Sequence, residues 1–465
     1  MTRDLRSLPR APGRLPLVGH AIPLLRRPLE FLKALADSGD IVRVDIGTMP
    51  IYFVTTPQLT HDLLVGKAGA FDKGRFFDRA RVLLGNGLAT AEAKAHRRNR
   101  RLMQPMFHRA RIAGYAEAMS ARARAVSDSW EEGRTVALDQ ELYNYSVNAL
   151  SDTLFSSSID KETAEAIRHD VPILIKYGLV RAVQPTAVDH LPLRANRQFD
   201  AASARLRAII DDIVAVARDR GDDGPDLLSS LLAARDADTG EALTETEVRD
   251  ELVTILFAGT ETSAATLTWA FHELAGNPEA EQRAVDEVHA VVGQGPVEAH
   301  HVPHLKYLAQ VVDETARLHA LPLLMRRAIE PVELGGVTLP AGTEIGFSLY
   351  ALHQDRRLYP DPQRFDPDRW APENSDGRPR EAFIPFGAGA RKCIGDTFAR
   401  MEMTIGLATL LARWKLVPVE GVRIREVTAA VAHCDRMPMV PYARNPHAAT
   451  TDAAAAREAG THSGT

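Results

Sequence analysis

The chain has 465 residues, 45% of them hydrophobic and 25% charged, and carries a net charge of −5. That balance describes a globular protein with a substantial core and excludes a bulk nucleic-acid role. Its two cysteines, Cys393 and Cys434, exclude a disulfide framework, and neither sits in a Cys-x-x-Cys metal pattern.

The first twenty residues are broken by Pro9, Pro12 and Pro16, and no apolar run approaches the roughly 20 residues a membrane-spanning helix requires. Neither a signal peptide nor a membrane anchor is expected, and the chain reads as cytoplasmic. Residues 1–11 read as an extension. The β-branched runs Ile41–Ile46 and Ile51–Val54, with Val332–Leu334 and Thr343–Ile345 much later, predict a small sheet assembled from distant segments. Between about 90 and 320 amphipathic helices dominate, with loops at Gly221–Gly224 and Asp236–Gly240. The expected fold class is mainly α with a minor β part, one large domain over 12–444 and a disordered tail over 445–465.

His96-Arg97-Arg98-Asn99-Arg100-Arg101 concentrates cations on a helix, with His96 and Arg100 on one face. Thr244-x-x-Glu247 has the form of a capping box, and Gly276-Asn277-Pro278 supplies a stop. The helix between them, about thirty residues and ~45 Å long, can cross the whole domain. Its middle, Leu252 to Thr262, is apolar nearly all round, so Glu261 and Thr262 fall inside. A buried carboxylate is costly and requires a reason.

Phe386 to Gly395 places a single thiol, Cys393, between glycines and cations at the start of a helix. Amides at a helix start favour thiolate over thiol, and Gly387, Gly389 and Gly395 let the backbone turn tightly beneath something large and flat. A haem fits that description. A cysteine thiolate on haem iron favours O–O cleavage rather than oxygen carriage.

These features together resemble the cytochrome P450 haem-thiolate monooxygenases over roughly Pro12 to Arg444. Phe386, Gly389, Arg391, Cys393 and Gly395 fill that family's Phe-x-x-Gly-x-Arg-x-Cys-x-Gly pattern. The resemblance implies a haem b cofactor with Cys393 as axial iron ligand and His96, Arg100, Arg326 and Arg391 on its propionates. Arg326 is preferred over Arg327 by its offset from Ala328. Ala258-Gly259-x-Glu261-Thr262 is similar to the family's acid-alcohol pair in its oxygen-binding kink. Ala258 and Gly259 are there expected to leave room over the iron, while Thr262 and Glu261 deliver protons. Glu314 and Arg317, with Arg369, match a structural network beneath the haem. Arg97, Arg98 and Arg101 read equally as a solvated face or as a docking face for an acidic partner.

No flavin domain, dinucleotide motif or iron–sulfur cysteine set follows, so the resemblance implies ferredoxin and ferredoxin reductase drawing on NAD(P)H, with O₂ as co-substrate and no need for more than a monomer. Phe76–Leu83, Ile255 with Ala258, Leu321–Met325 and the turn near Val431 are expected by family analogy to line an apolar pocket for a small hydrophobic substrate. The stretches Leu191–Asp200 and Leu318–Arg327 look like actinobacterial sesquiterpene oxygenases of the pentalenene-oxidising kind. Macrolide or fatty-acid hydroxylation, a peroxide-driven hydroxylase and a haem-based sensor are the alternatives, and the acid-alcohol pair disfavours the last two. His300, His301 and His304 read as a surface loop, and Cys434 as a small buried hydrophobe.

Overall fold

The computed structural model describes residues 4–155, 161–183, 186–219, 224, 226–236, 238–374, 377–428 and 431–444. The tail over 445–465 and all of the expected 221–224 loop except Gly224 lie outside them. Among the described residues the helices of ten residues or more are α1 (Arg75–Leu84), α2 (Ala93–Met103), α3 (Arg109–Ser129), α4 (Leu138–Phe155), α5 (Lys161–Val183), α6 (Arg194–Asp219), α7 (Glu245–Gly276), α8 (Pro278–Val292), α9 (Lys306–Leu318) and α10 (Asp396–Arg413). None is long and apolar enough to cross a membrane.

Helix α7 is the axle of the domain. Thr244 Oγ1 accepts from the Glu247 amide at 3.2 Å while the Glu247 carboxylate accepts from the Thr244 amide at 2.8 Å, so the capping box forms as its residues dictate. Its 32 residues give ~48 Å, and Pro278 opens the next helix where this one stops. It packs on α4, α6, α9 and α10, so buried residues occur on every face of its central turns.

The strands are β1 (Ile41–Ile46), β2 (Met49–Val54), β3 (Phe71–Lys73), β4 (Val136–Ala137), β5 (Leu324–Ala328), β6 (Val332–Leu334), β7 (Val337–Leu339), β8 (Glu344–Phe347), β9 (Trp414–Pro418), β10 (Glu426–Thr428), β11 (Ala432–Cys434) and β12 (Pro438–Ala443). The main sheet runs β1-β2-β8-β5-β3, joining early and late segments as expected. Val332–Leu334 departs from that expectation. Gly335 and Gly336, with φ of 57° and 72°, form a two-residue turn that folds β6 back on β7 instead. Strands β3 and β5 were not legible in advance, and their register sets Lys73 directly opposite Arg326. Pro9 and Ala11 exchange backbone bonds with Arg43, so the chain is docked on β1 before residue 12.

Glu314 and Arg317 are wholly buried on α9, joined by two bonds of 2.8 and 2.9 Å. Arg317 also donates to the carbonyls of His353 and Pro362, and Glu314 accepts from Arg369 at 3.3 Å and from Trp370 Nε1 at 2.9 Å. Glu314 is thus met by donors on several sides and Arg317 by acceptors, which is the condition for burying them. Cys434 is buried, its thiol pushed up to about 12 by burial.

Replacing Arg317 by Leu strands the Glu314 carboxylate and should cost about 3–5 kcal/mol in urea unfolding. Glu402 on α10 gives a signed pH prediction. Burial pushes its carboxyl up to about 8, and the nearby Ser146 and Ser263 hydroxyls do not reach it in hydrogen-bond geometry. The unfolded chain releases this proton from about pH 4.5 while the folded chain keeps it, so Glu402 weakens the fold progressively from there to about pH 8. Glu402→Gln should match wild type near the acid end of that window and exceed it near the alkaline end in urea midpoint.

Candidate active site

The cysteine loop is built from its glycines and a single backbone latch. Gly387 and Gly389 have φ of 71° and 69°, and the Cys393 amide donates to the Phe386 carbonyl at 2.9 Å. A Cβ on Gly389 would lie 2.0 Å from the Leu64 carbonyl oxygen, so that glycine is required by packing against the protein rather than by a flat group. Gly395 has ordinary φ and serves as the N-cap of α10. The Phe386 ring lies 5.0 Å from the Arg400 guanidinium, which pairs with Asp313 at 2.7 Å.

The thiol corrects one expectation. Cys393 is accessible although protein atoms crowd it, and that crowding pushes its thiol above the usual range. The Gly395 amide, Arg100 and Lys392 pull the other way, but Asp396 at the first helical position opposes them. Desolvation outweighs the helix-terminal charge, so only a bound cation would hold this sulfur as thiolate.

Beside the loop lies a buried cluster of like charge. Lys73, Arg326 and Arg391 converge with His96, and Asp72 is the carboxylate among them. Burial and then the neighbouring arginines push Lys73 well below the usual lysine range. Burial, then Arg391 and Lys73, push His96 down to about 3, and burial with Arg391 brings Arg326 down to about 10. Arg391 pairs with Asp72 and donates to the Ala91 carbonyl at 2.9 Å. With all three bases protonated against one carboxylate and His96 neutral, the cluster carries two positive charges in excess, and that mutual repulsion is part of what lowers Lys73 and Arg326.

Arg327, on the opposite face of β5, is satisfied by Glu344 at 2.6 Å and Asp78 at 2.7 Å, which separates it from Arg326. Arg100 donates to the Lys392 carbonyl at 2.5 Å and lies within the field of Cys393. Of the remaining cations on α2, Arg98 pairs with Glu247 at 2.9 Å and Arg101 with Asp238 at 2.7 Å, so two of the three arginines there are neutralised within the chain.

On α7, Ala258 and Thr262 are exposed although the turns around them are buried, so this face borders accessible space inside the domain. The α7 assignment runs unbroken through this segment, and Thr262 Oγ1 donates to the Ala258 carbonyl at 2.8 Å. Gly259 does not face that space. A Cβ there would lie 2.8 Å from Leu150 Cδ2, so its smallness admits α4 rather than a ligand. Burial raises the proton affinity of Glu261, opposed by His433 on β11. The loop before α2 is tied down by Glu251, which accepts from the Leu88 amide at 2.8 Å and Asn99 Nδ2 at 2.9 Å and is pushed up to about 7 by burial.

Sequence reasoning missed Lys73, Glu251 and His433. Lys73 becomes significant only through its pairing with β5, for which Phe71–Lys73 carries no local signal beyond three residues.

The sequence matches the cytochrome P450 family model over residues 9–432. The chain belongs to the cytochrome P450 family. Cyclooctat-9-en-7-ol 5-monooxygenase of Streptomyces melanosporofaciens is 41% identical over 433 residues, 92% of this chain and 94% of the relative. Pentalenene oxygenase of Streptomyces avermitilis is 38% identical over 440 residues, 94% and 97% of the two chains. This P450 is a monooxygenase related to terpene oxygenases, with the haem iron, O₂ and redox partner its family implies. The residues fit such a group: an accessible cysteine adjoins a buried site with two unbalanced positive charges, the complement of two carboxylates.

Lys73→Met separates repulsion from ligand binding. Removing one of three crowded cations should raise the melting temperature of the apoprotein. Haem retention should fall about 10- to 100-fold, the worth of one charged hydrogen bond, measured by transfer of haem to apomyoglobin.

Proposed function

We propose that this P450 binds haem b with Cys393 as axial ligand and hydroxylates a small hydrophobic substrate, a sesquiterpene or related cyclic terpenoid, with electrons from a ferredoxin. Two unbalanced positive charges beside an accessible cysteine carry the cofactor assignment. Lys73, Arg326 and Arg391 would hold the propionates, with His96 as a neutral donor and Arg100 closing the side towards Cys393. When bound, the thiolate-ligated iron supplies the chemistry that splits O₂.

The chain's part is to place a hydrocarbon and move protons. Ala258 leaves the α7 face low, and Thr262 one turn on presents a hydroxyl whose lone pairs stay free to accept while its proton is held by the Ala258 carbonyl. Glu261 makes no hydrogen bond or ion pair with the described residues, and its raised proton affinity suits a carboxyl that takes protons from solvent and passes them on. The apolar residues expected around this face include Ile255, Val431 and Met325, which are buried, and Leu321, Leu323 and Leu324, which are half-buried. Such a lining selects by shape and desolvation. The printed activities of the relatives, on cyclooctat-9-en-7-ol and pentalenene, support a terpenoid as the class.

The test is a difference-spectrum titration against cyclic terpenes, fatty acids and macrolides, followed by product analysis. The expected result is a substrate-type shift with terpenes alone; shifts with macrolides or fatty acids but never with terpenes overturn the substrate class. Reduced carbon-monoxide spectra lacking the red-shifted thiolate band overturn the cofactor assignment. Thr262→Ala should keep consuming NADPH while yielding less product per NADPH, and Glu261→Gln should slow turnover by ~10² or more. Coupling unchanged in Thr262→Ala removes Thr262 from proton delivery.

A further inference from the structure

The α7 face that carries Ala258 and Thr262 continues through Thr266, Trp269 and Glu273. Steps of three and four residues keep all five on one stripe. About two turns beyond Thr262, ~10 Å along the axis, this stripe meets His319, the residue that caps α9. The imidazole stacks on the Trp269 indole with centroids 4.1 Å apart and planes 2° from parallel. Its Nε2 lies 3.0 Å from Glu273 Oε1 and its Nδ1 3.0 Å from Glu426 Oε1. Both partners only accept, so both ring nitrogens carry protons and His319 is an imidazolium.

This cation joins four segments. Trp269 and Glu273 belong to α7, His319 ends α9, Glu426 lies on β10, and Trp269 Nε1 donates to the Ala432 carbonyl of β11 at 3.0 Å. Next to Ala432 comes His433, whose charge bears on Glu261. Immediately after His319 the chain enters residues 320–323 and then β5, which delivers Arg326. The clamp therefore ties to α7 the two elements that flank its acid-alcohol segment and the cationic cluster.

We propose that His319 is a positioning residue for substrate: its twin ion pair with Glu273 and Glu426 and its stack on Trp269 hold the β10–β11 hairpin against the Glu261–Thr262 segment and so set how bulky a molecule is held there. The proposal rests on the haem reading above. The titratable groups facing His319 are Glu273 and His272 of α7 and Glu426 of β10, with Tyr350 in the field of Glu426. Burial alone would lower the proton affinity of His319; the two carboxylates override it and raise it. A raised imidazole is charged below its ordinary value and loses its proton as pH climbs through the raised one, so the clamp is intact on the acid side of that raised value and is released on the alkaline side.

Two azoles that bind haem iron through nitrogen give the test, imidazole as a small probe and 4-phenylimidazole as a bulky one, titrated from about pH 7.5 to 9.5, where both are largely neutral. In the wild-type holoenzyme, 4-phenylimidazole should weaken about tenfold across this range relative to imidazole. His319→Gln and Glu426→Gln should bind it at pH 7.5 with the weakened constant and no pH dependence, imidazole being unchanged. The proposal is overturned if the wild-type ratio is flat with pH, or if both azoles weaken together in the variants. Should His319→Gln not fold, Glu426→Gln alone decides. A wild-type protein that gives no azole shift overturns the haem reading first, and this proposal with it.

Discussion

Lys73, Arg326 and Arg391 meet in a buried space where Asp72 is the single carboxylate among them, and the chain by itself leaves their repulsion uncompensated. Like charges directly opposite each other in a sheet are destabilising, yet the β3–β5 register places Lys73 and Arg326 in that relation. A fold that holds such a cluster is stabilised by whatever dianion completes it. Around this constraint the rest of the site is ordered: the cysteine loop brings in Arg391, α2 brings in His96, and β5 brings in Arg326 while turning Arg327 away to Glu344 and Asp78. The contrast between the two adjacent arginines shows the constraint at work, since one is fully paired with carboxylates and its neighbour makes no ion pair among the described residues.

A second constraint acts on the sulfur. Helix starts favour anions, but Cys393, two residues before the N-cap of α10, is crowded by protein atoms and feels the Asp396 carboxylate at the first helical position, so its thiol is pushed above the usual range. The same desolvation that penalises a free thiolate strengthens its bond to a metal once formed. The network of Glu314, Arg317 and Arg369 differs in kind, because both guanidiniums share the one carboxylate and spend further donors on backbone carbonyls, so it serves as a scaffold.

Helix α7 links these parts mechanically. Its stripe from Ala258 to Glu273 passes from open space, through the hydroxyl of Thr262, to the aromatic and acidic residues that grip His319. Geometry at the Glu261–Thr262 segment and geometry of the β10–β11 hairpin are therefore not independent. Gly259, one residue off the stripe, belongs to a different contact, the close approach of Leu150 on α4.

Local chemistry alone determined the parts whose pattern is written in consecutive residues: the capping box and length of α7, the cysteine loop, the Glu314–Arg317 pair and the family itself. These depend on spacing along one helix or one turn, which sequence carries directly. Tertiary structure decided what depends on segments far apart in the chain: the pairing of Lys73 with Arg326, the diversion of β6 onto β7 by Gly335 and Gly336, the role of Gly259, the protonated state of Cys393 and the ion triad at His319. In each case the deciding quantity is a distance or a burial between elements remote in sequence, and neither periodicity nor composition records it.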